Sequence, residues 1–329
     1  KDGRHDPIVQ MGLAMDSDGV PIHYRLFPGN RLDKETFRTV IGEVRRKYDT
    51  GRIIVVADMG VITGDNIYYL TGGKNYNGYV FSFSVKGGTN AFKDYVLDDK
   101  GYKGKDGKAL DSDATFKIKS RRIGRDISVS MRSGKKVKKV VYEKQVVFWS
   151  KKYEVKARAE RGELVKKAMD LVENPAKYDR ATSYGAARYV KDIRFDKKTG
   201  EVLKGGKKPS FDIDKLKEDE KYDGYYAIVT SELDMADGDI IDTYRGLWEI
   251  EETFKVTKGT IKARPVYVSR HDRIRAHFLT CFISLVVIRI LQKKTARKYS
   301  PEKIVECLNS ISCSNEQDNL YLFDYRREI

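Results

Sequence analysis

The chain has 329 residues, 40% of them hydrophobic and 34% charged, so it can bury a substantial core and lacks the composition of a disordered protein. Lys and Arg exceed Asp and Glu by 16, which indicates a polyanionic partner such as a nucleic acid, although a merely basic, well-solvated surface would carry the same charge. Its three cysteines show no CxxC spacing, which favours reduced intracellular thiols over a disulfide framework.

The N-terminal part of the chain predicts an α/β order. Two β-type runs, at 8–15 and 20–27, flank Asp16-Ser17-Asp18-Gly19, whose residues tolerate the positive φ of a hairpin turn. Apolar residues at helical spacing then predict a helix with Asp33 as its N-cap. The run 53–57 is nearly all apolar and β-branched, which predicts a strand buried on both faces in the middle of a sheet. The remaining elements of this part are a short helix at 63–70 and a strand at 78–85.

The middle of the chain has a different character. From about residue 87 to 223 we expect short alternating strands and Gly-rich turns, interrupted by one helix at 154–173. Between Lys117 and Lys139 there are ten Lys or Arg residues against one acid, Asp126. We interpret this region as a β-rich, basic insertion.

Helices return after a strand at 225–230. Predicted helices cover 237–258, 270–298 and 301–311. The most apolar stretch, Phe278 to Leu291, has 14 residues, which is too short to span a bilayer and suits a buried helix. We therefore expect no membrane association.

Asp58 is the first residue with a candidate chemical role. It follows the predicted buried strand directly, and a carboxylate at that position is costly unless something such as a metal ion pairs with it. A helix N-cap or a turn residue would occupy the same position, so Asp58 alone leaves both interpretations open.

A helix that begins near Ile240 carries the second candidate group. Tyr244, Glu251 and Lys258 are spaced by seven residues, so they lie on nearly one face of that helix. The pattern suits a site where a carboxylate holds a metal and a lysine meets a phosphate, although an amphipathic helix with a surface Glu–Lys pair would show it too. The chain contains no HExxH, no GxSxG and no Cys/His zinc pattern, which speaks against those chemistries.

These residues give the sequence a resemblance to bacterial insertion-sequence transposases of the DDE class. Within that class it resembles the group with a Tyr-Arg-Glu-Lys signature, and Tyr244, Glu251 and Lys258 fall on three of the four positions. The Arg position is Leu247, a departure from the pattern. Further similar stretches are 1–6, 55–60, 264–268 and 271–285.

The resemblance implies a ribonuclease-H-like α/β fold, a mixed sheet flanked by helices with a β-rich insertion and a helical C-terminus. It divides the chain into a first core part at 1–87, the basic insertion at 88–224, and a second core part with C-terminal helices at 225–329. In this family the first catalytic Asp lies on the first strand, just before the hairpin that opens this chain. We therefore expect that strand and that Asp to be missing, and the fragment to be inactive as cut.

The activity implied by the resemblance is metal-dependent DNA strand cleavage and strand transfer. Asp58 and Glu251 are the expected catalytic metal ligands, and hard oxygen donors favour Mg²⁺ or Mn²⁺, with two ions in the complete site. One ion would activate water or a 3′-hydroxyl and the other would stabilise the leaving oxygen. The expected DNA-binding residues are Tyr244, Lys258, Arg245, Trp248, Arg121, Arg122, Lys135 and Lys136.

The expected partner is double-stranded DNA, both transposon ends and target, bound by a homodimer in a synaptic complex. We expect the protein to act on DNA in the cytoplasm of a bacterium or archaeon. Two alternatives stay open: a ribonuclease-H-like nuclease that cleaves without strand transfer, and a DNA-binding protein derived from a transposase that no longer catalyses.

Overall fold

The computed structural model describes residues 9–31, 33–49, 51–72, 76–105, 107–111, 113–131, 133–174, 185–192, 209–247, 253, 255–257, 259, 261, 263, 266–315 and 321–323. The chain divides into two compact units. The first unit comprises Lys1–Gly78, Ile127–Lys138 and Asp242–Ile329, and the second comprises Tyr79–Asp126 and Lys139–Ile241.

The predicted hairpin and helix open the first unit. Strands β1 (Val9–Met15) and β2 (Pro21–Pro28) are antiparallel, and α1 (Asp33–Tyr48) packs on both. In the turn, Asp16 Oδ1 accepts from the backbone N–H groups of Asp18 and Val20, and Gly19 adopts a φ of +74°. The turn chemistry that predicts this hairpin from the sequence is therefore confirmed.

Strand β3 (Ile54–Ala57) departs from the prediction of a strand buried on both faces. None of its four residues is buried, and the Ile54 side chain is 38% exposed. The reason is its position, because β3 lies at the edge of its sheet and pairs with a strand on one side only among the residues that the structure describes. It is followed by a 3-10 turn (Met59–Val61) and by α2 (Gly64–Thr71).

A mixed five-stranded sheet flanked by helices gives the chain the predicted α/β class. Its order is β3-β4-β9-β6-β5, with β4 at Gly78–Phe83, β5 at Phe116–Ser130, β6 at Lys136–Ser150 and β9 at Tyr225–Thr230. Strand β9 is antiparallel to both β4 and β6. The side chains of Tyr79, Val80 and Phe81 on β4 are fully buried.

The insertion differs from the predicted series of short strands. Strands β5 and β6 have 15 residues each, and α4 (Lys151–Glu173) follows β6 directly. Two further helices, α3 (Asn90–Leu97) and α5 (Ile213–Glu220), were not predicted, although Thr89 and Asp212 cap them through their side chains. The short strands β7 (Val190–Lys191) and β8 (Ser210–Phe211) pair with each other.

The C-terminal helices are α6 (Asp237–Arg245), α7 (His271–Lys294) and α8 (Pro301–Asn309), followed by the strand pair β10 (Cys313–Asn315) and β11 (Tyr321–Phe323). Helix α7 has 24 residues and lies within the helix predicted at 270–298, so it extends beyond the apolar stretch of 14 residues: by length and composition it could cross a membrane, a property that core helices share. The prediction of a buried helix holds for one face only. That face contains Phe278, Cys281, Leu285, Ile288, Arg289 and Gln292.

Candidate active site

Asp58 stands where β3 ends and the 3-10 turn begins. Its backbone is extended, with φ −79° and ψ 167°, and its exposed side chain accepts from the Met59 N–H at 2.6 Å through Oδ1. The carboxylate is thus the N-cap of this turn. The interpretation of Asp58 as a cap is therefore confirmed, and the interpretation as a metal ligand stays a prediction.

The buried side chain of Asn66 links the turn that carries Asp58 to α2 and α1. Asn66 is 1% exposed; its Nδ2 donates to the Val61 carbonyl at 2.9 Å, and its Oδ1 accepts from Arg38 Nε at 3.0 Å. Arg38 also lies over the Tyr69 ring, 5.7 Å from the centroid. Asn66 therefore joins the end of the turn to two helices.

We predict that Asn66→Ala loosens this turn. The change removes the partner of the Val61 carbonyl and of Arg38 Nε, and an unmet buried hydrogen bond costs about 1–3 kcal/mol. The measurement is the free energy of unfolding in urea, with the exposed Asn309→Ala as the matched control. The Asn66→Asp variant keeps the acceptor for Arg38 and loses the donor to Val61. Its free energy of unfolding should lie between those of Asn66→Ala and Asn309→Ala. If Asn66→Ala and Asn309→Ala were equally stable, Asn66 would not hold the turn in place.

Buried hydrogen bonds hold a helical segment of the same unit against α7. Residues 253 and 255–257 are helical, Thr253 and Val256 are buried, and Thr257 Oγ1 donates to the Thr253 carbonyl at 2.7 Å. Arg289 on α7, itself buried, donates through Nε to Thr253 Oγ1 at 3.2 Å and through Nη1 to Gln292 Oε1 at 2.8 Å. Val256 packs with Leu285 and Ile288 of α7.

The sequence-predicted residues of the α6 region are only partly described. Tyr244 is half-buried near the end of α6, and the exposed Arg245 pairs with Asp242 at 3.0 Å on the same helix. Trp248, Glu251 and Lys258 lie outside the described residues. Among the residues that the structure does describe, no group of three or more His, Cys, Asp and Glu side chains is placed to hold a metal.

The basic residues of the insertion divide into two classes. Arg121 is half-buried; its Nε donates to Gln145 Oε1 at 3.0 Å and its guanidinium lies 3.9 Å from the centroid of the Tyr95 ring. Arg122 is exposed and pairs with Asp234 at 2.8 Å. Lys135 and Lys136 are exposed at the turn between β5 and β6. Of these four, the two lysines are exposed and form no ion pair with any residue that the structure describes.

Sequence reasoning missed the residues that hold the candidate site. Asn66, Arg38 and Thr253 carry no motif, and Arg289 is a charged residue on an apolar helix. The one available signal was Arg289, because a charged side chain among apolar neighbours requires a buried partner. The partner's identity depends on tertiary structure and could not be obtained from spacing.

The sequence profile of the family described as "Transposase DDE domain" matches residues 1–287 of the chain. No curated protein matches the chain.

Proposed function

Because the chain belongs to the family of transposases with a DDE domain, we propose that it is the catalytic region of a DNA transposase, which cleaves DNA strands at transposon ends and transfers them to target DNA. The observation that carries the proposal is the family match over 287 residues, together with Asp58 at the carboxyl end of β3. The formal charge of +16 is consistent with a polyanionic substrate.

Asp58 and Glu251 are the residues that we propose to hold divalent metal. The exposed carboxylate of Asp58 is a suitable ligand for such an ion, because carboxylate oxygens are hard donors that match Mg²⁺ or Mn²⁺. When bound, such ions lower the barrier to phosphoryl transfer by stabilising charge on the attacking and leaving oxygens. In the family's reaction an oxygen of water or of a 3′-hydroxyl attacks a phosphodiester phosphorus, and the 3′-oxygen of the DNA strand leaves.

The remaining residues bind and orient the DNA. We assign Lys258 and Tyr244 to the backbone near the transposon end, with Arg245 and Trp248 beside them, and Arg121, Arg122, Lys135 and Lys136 to phosphates further along the duplex. The accessibility of Lys135 and Lys136 supports their assignment most directly. Asn66 and Arg289 are positioning residues, since they act through the turn of Asp58 and through Thr253.

We further propose that a strand outside the described residues completes the sheet and supplies a third carboxylate. Within the part of the chain that the structure describes, β1 pairs only with β2, and β3 has a partner on one side only. Helix α1 packs on β1 and also on the turn after β3. The apolar sequence of β3 and its exposure in this structure support a missing neighbour. Without that strand the chain should not cleave DNA.

The test is metal-dependent nicking of a plasmid that carries transposon ends, by this chain and by a longer chain that includes the proposed strand. Cleavage and joining by the longer chain in Mg²⁺, abolished by a chelator, are expected. Cleavage without joining would favour the ribonuclease-H-like nuclease. DNA binding without any cleavage would favour a non-catalytic DNA-binding protein.

We also propose that two copies assemble on DNA. Helix α7 presents an aliphatic stripe at helical spacing, formed by Ile283, Val287 and Ile290, each between 42% and 53% exposed. Sedimentation of the chain with and without a duplex containing two ends tests this, and a 1:1 complex at all concentrations would contradict it.

A further inference from the structure

A cleft of about 800 Å³ lies in the first unit, apart from the residues around Asp58. Its floor is β2 from His23 to Leu26, one wall is the last part of α1, and the other is the start of α7. The volume lies within the range of about 300–1,000 Å³ that ligand sites occupy. The described lining includes no residue of β3 or of the turn after it.

Four cations from three different elements converge on this cleft. They are Arg25 of β2, Arg46 and Lys47 of α1, and Arg275 of α7. The basic residues in the last turn of α1 can be explained without a ligand, because they offset the negative end of the helix dipole. That explanation does not extend to Arg25 or to Arg275, which come from a strand and from the first turns of another helix.

The cleft holds far more positive than negative charge. Glu43 is its one described carboxylate, and it is already engaged by Arg25 and by His23, whose Nε2 lies 2.9 Å from Glu43 Oε2. Arg46, Lys47 and Arg275 are exposed and have no carboxylate partner among the described residues. Burial, and then the charges of Lys47 and Arg25, lower the pKa of His23, which favours the neutral imidazole, so the excess of positive charge in the cleft comes from the arginines and the lysine.

The shape and chemistry of the floor suit a chain of phosphates. The Tyr24 ring packs against the ring of Phe282 on α7 at a tilt of 33°, with ring centroids 4.8 Å apart, and Leu279 adds apolar surface beside it. Arginine guanidinium groups bind phosphate oxygens through paired N–H donors, and an adjacent apolar surface accommodates sugar. A nucleic acid backbone presents both features side by side.

We propose that this cleft binds the phosphodiester backbone of double-stranded DNA at a position separate from the carboxylate site. The proposal rests on the proposed function, because it assumes that DNA is the substrate. It adds an anchor on β2, α1 and α7 that holds the duplex while Asp58 faces the reacting phosphate. Phosphate contacts of this kind position the duplex and do not read its sequence.

The experiment compares two double variants with the same loss of charge. Arg46→Gln/Arg275→Gln removes two cleft cations, whereas Arg31→Gln/Arg273→Gln removes two exposed arginines of the same unit, one of them two residues from Arg275 on α7. Binding of a fluorescent duplex of mixed sequence is measured by anisotropy over a series of salt concentrations, after circular dichroism has shown that both variants fold.

The cleft variant should bind on the order of tenfold more weakly than wild type, and the slope of log K against log salt should fall by about 1.8, or roughly 0.9 for each lost phosphate contact. The control variant should change the affinity and the salt slope much less.

Equal losses in the two variants would overturn the proposal that the cleft binds DNA and leave only a general electrostatic attraction. A wild-type chain that does not bind the duplex would instead contradict the proposed function itself. Binding of poly-glutamate by wild type, lost in the cleft variant without loss of DNA binding, would assign the cleft to an acidic protein segment and overturn the proposal.

Discussion

Replacing Glu143 by Gln should destabilise the second unit by about 3 kcal/mol, because it leaves the partly buried charge of Arg125 without a counter-charge. Glu143, on β6, is fully buried, and the Arg125 guanidinium of β5 binds it through Nε and Nη2 at 2.8 and 2.9 Å. We take the lower end of the usual range, because the Arg125 side chain is 24% exposed and water can reach it.

The Glu143 carboxylate is fully satisfied by partners from three strands. Gln145 Nε2 donates to Oε1 at 3.0 Å, and the Tyr79 hydroxyl on β4 donates to Oε2 at 3.1 Å from the other side of β9. Burial and the neighbouring carboxylate raise the pKa of Tyr79, so its hydroxyl stays protonated and remains a donor. Burial opposes the charge of Arg125, but the hydrogen bonds and charge of Glu143 outweigh it and raise the Arg125 pKa.

The measurement is the urea midpoint followed by circular dichroism. Glu163→Gln on α4 is the matched control, since Glu163 is 67% exposed and a surface change of this kind stays within about 0.5 kcal/mol. The double variant Glu143→Leu/Arg125→Met should recover most of the loss, because it removes both charges together. A Glu143 variant as stable as the control, or a double variant less stable than the single one, would contradict this account.

The local elements of the fold could be predicted where short-range chemistry determines them. The hairpin turn depends on Asp16 and Gly19, which are adjacent to the strands they join. Helix α4 follows from apolar spacing along one segment. The length of β5 and β6 could not be obtained in this way, because charged side chains interrupt their apolar pattern: Arg125 and Glu143 read as exposed positions in the sequence and are partners across the two strands in the structure.

Within the candidate site, the position of Asp58 was predictable, whereas its role as a metal ligand stays a prediction. The position of Asp58 directly after β3 could be predicted because it depends only on where one strand ends, which is local information. The exposure of β3 was not predictable from its own residues, because burial of a central strand depends on its neighbours: the sequence of β3 suits a middle strand, and the described chain leaves one of its edges without a partner. The contacts of Asn66 and Arg289 join segments that are far apart in sequence, so no motif identified them.

Replacing Asp58 by Asn should abolish metal-dependent cleavage by the longer chain that includes the proposed strand, with a loss of roughly a thousandfold or more. Metal-assisted charge stabilisation is worth several kcal/mol, and about 4 kcal/mol corresponds to this factor. Asn is the informative substitution because its side-chain oxygen can still accept from the Met59 N–H and cap the turn, so the variant loses the charge and keeps the cap.

The matched control is Asp65→Asn, seven residues away on α2. Asp65 Oδ1 accepts from the Ser130 N–H at 2.5 Å, a contact that Asn can also make, so this variant undergoes the same chemical change outside the proposed site. Both variants should unfold at the urea midpoint of the parent chain and bind a labelled duplex with its affinity, and only the Asp58 variant should lose the nicked product in Mg²⁺. Wild-type cleavage by Asp58→Asn would remove Asp58 from the metal site and leave it as a turn cap. A loss of stability in Asp58→Asn but not in Asp65→Asn would instead show that the carboxylate acts through the fold, because removing a metal ligand alone leaves the metal-free protein folded.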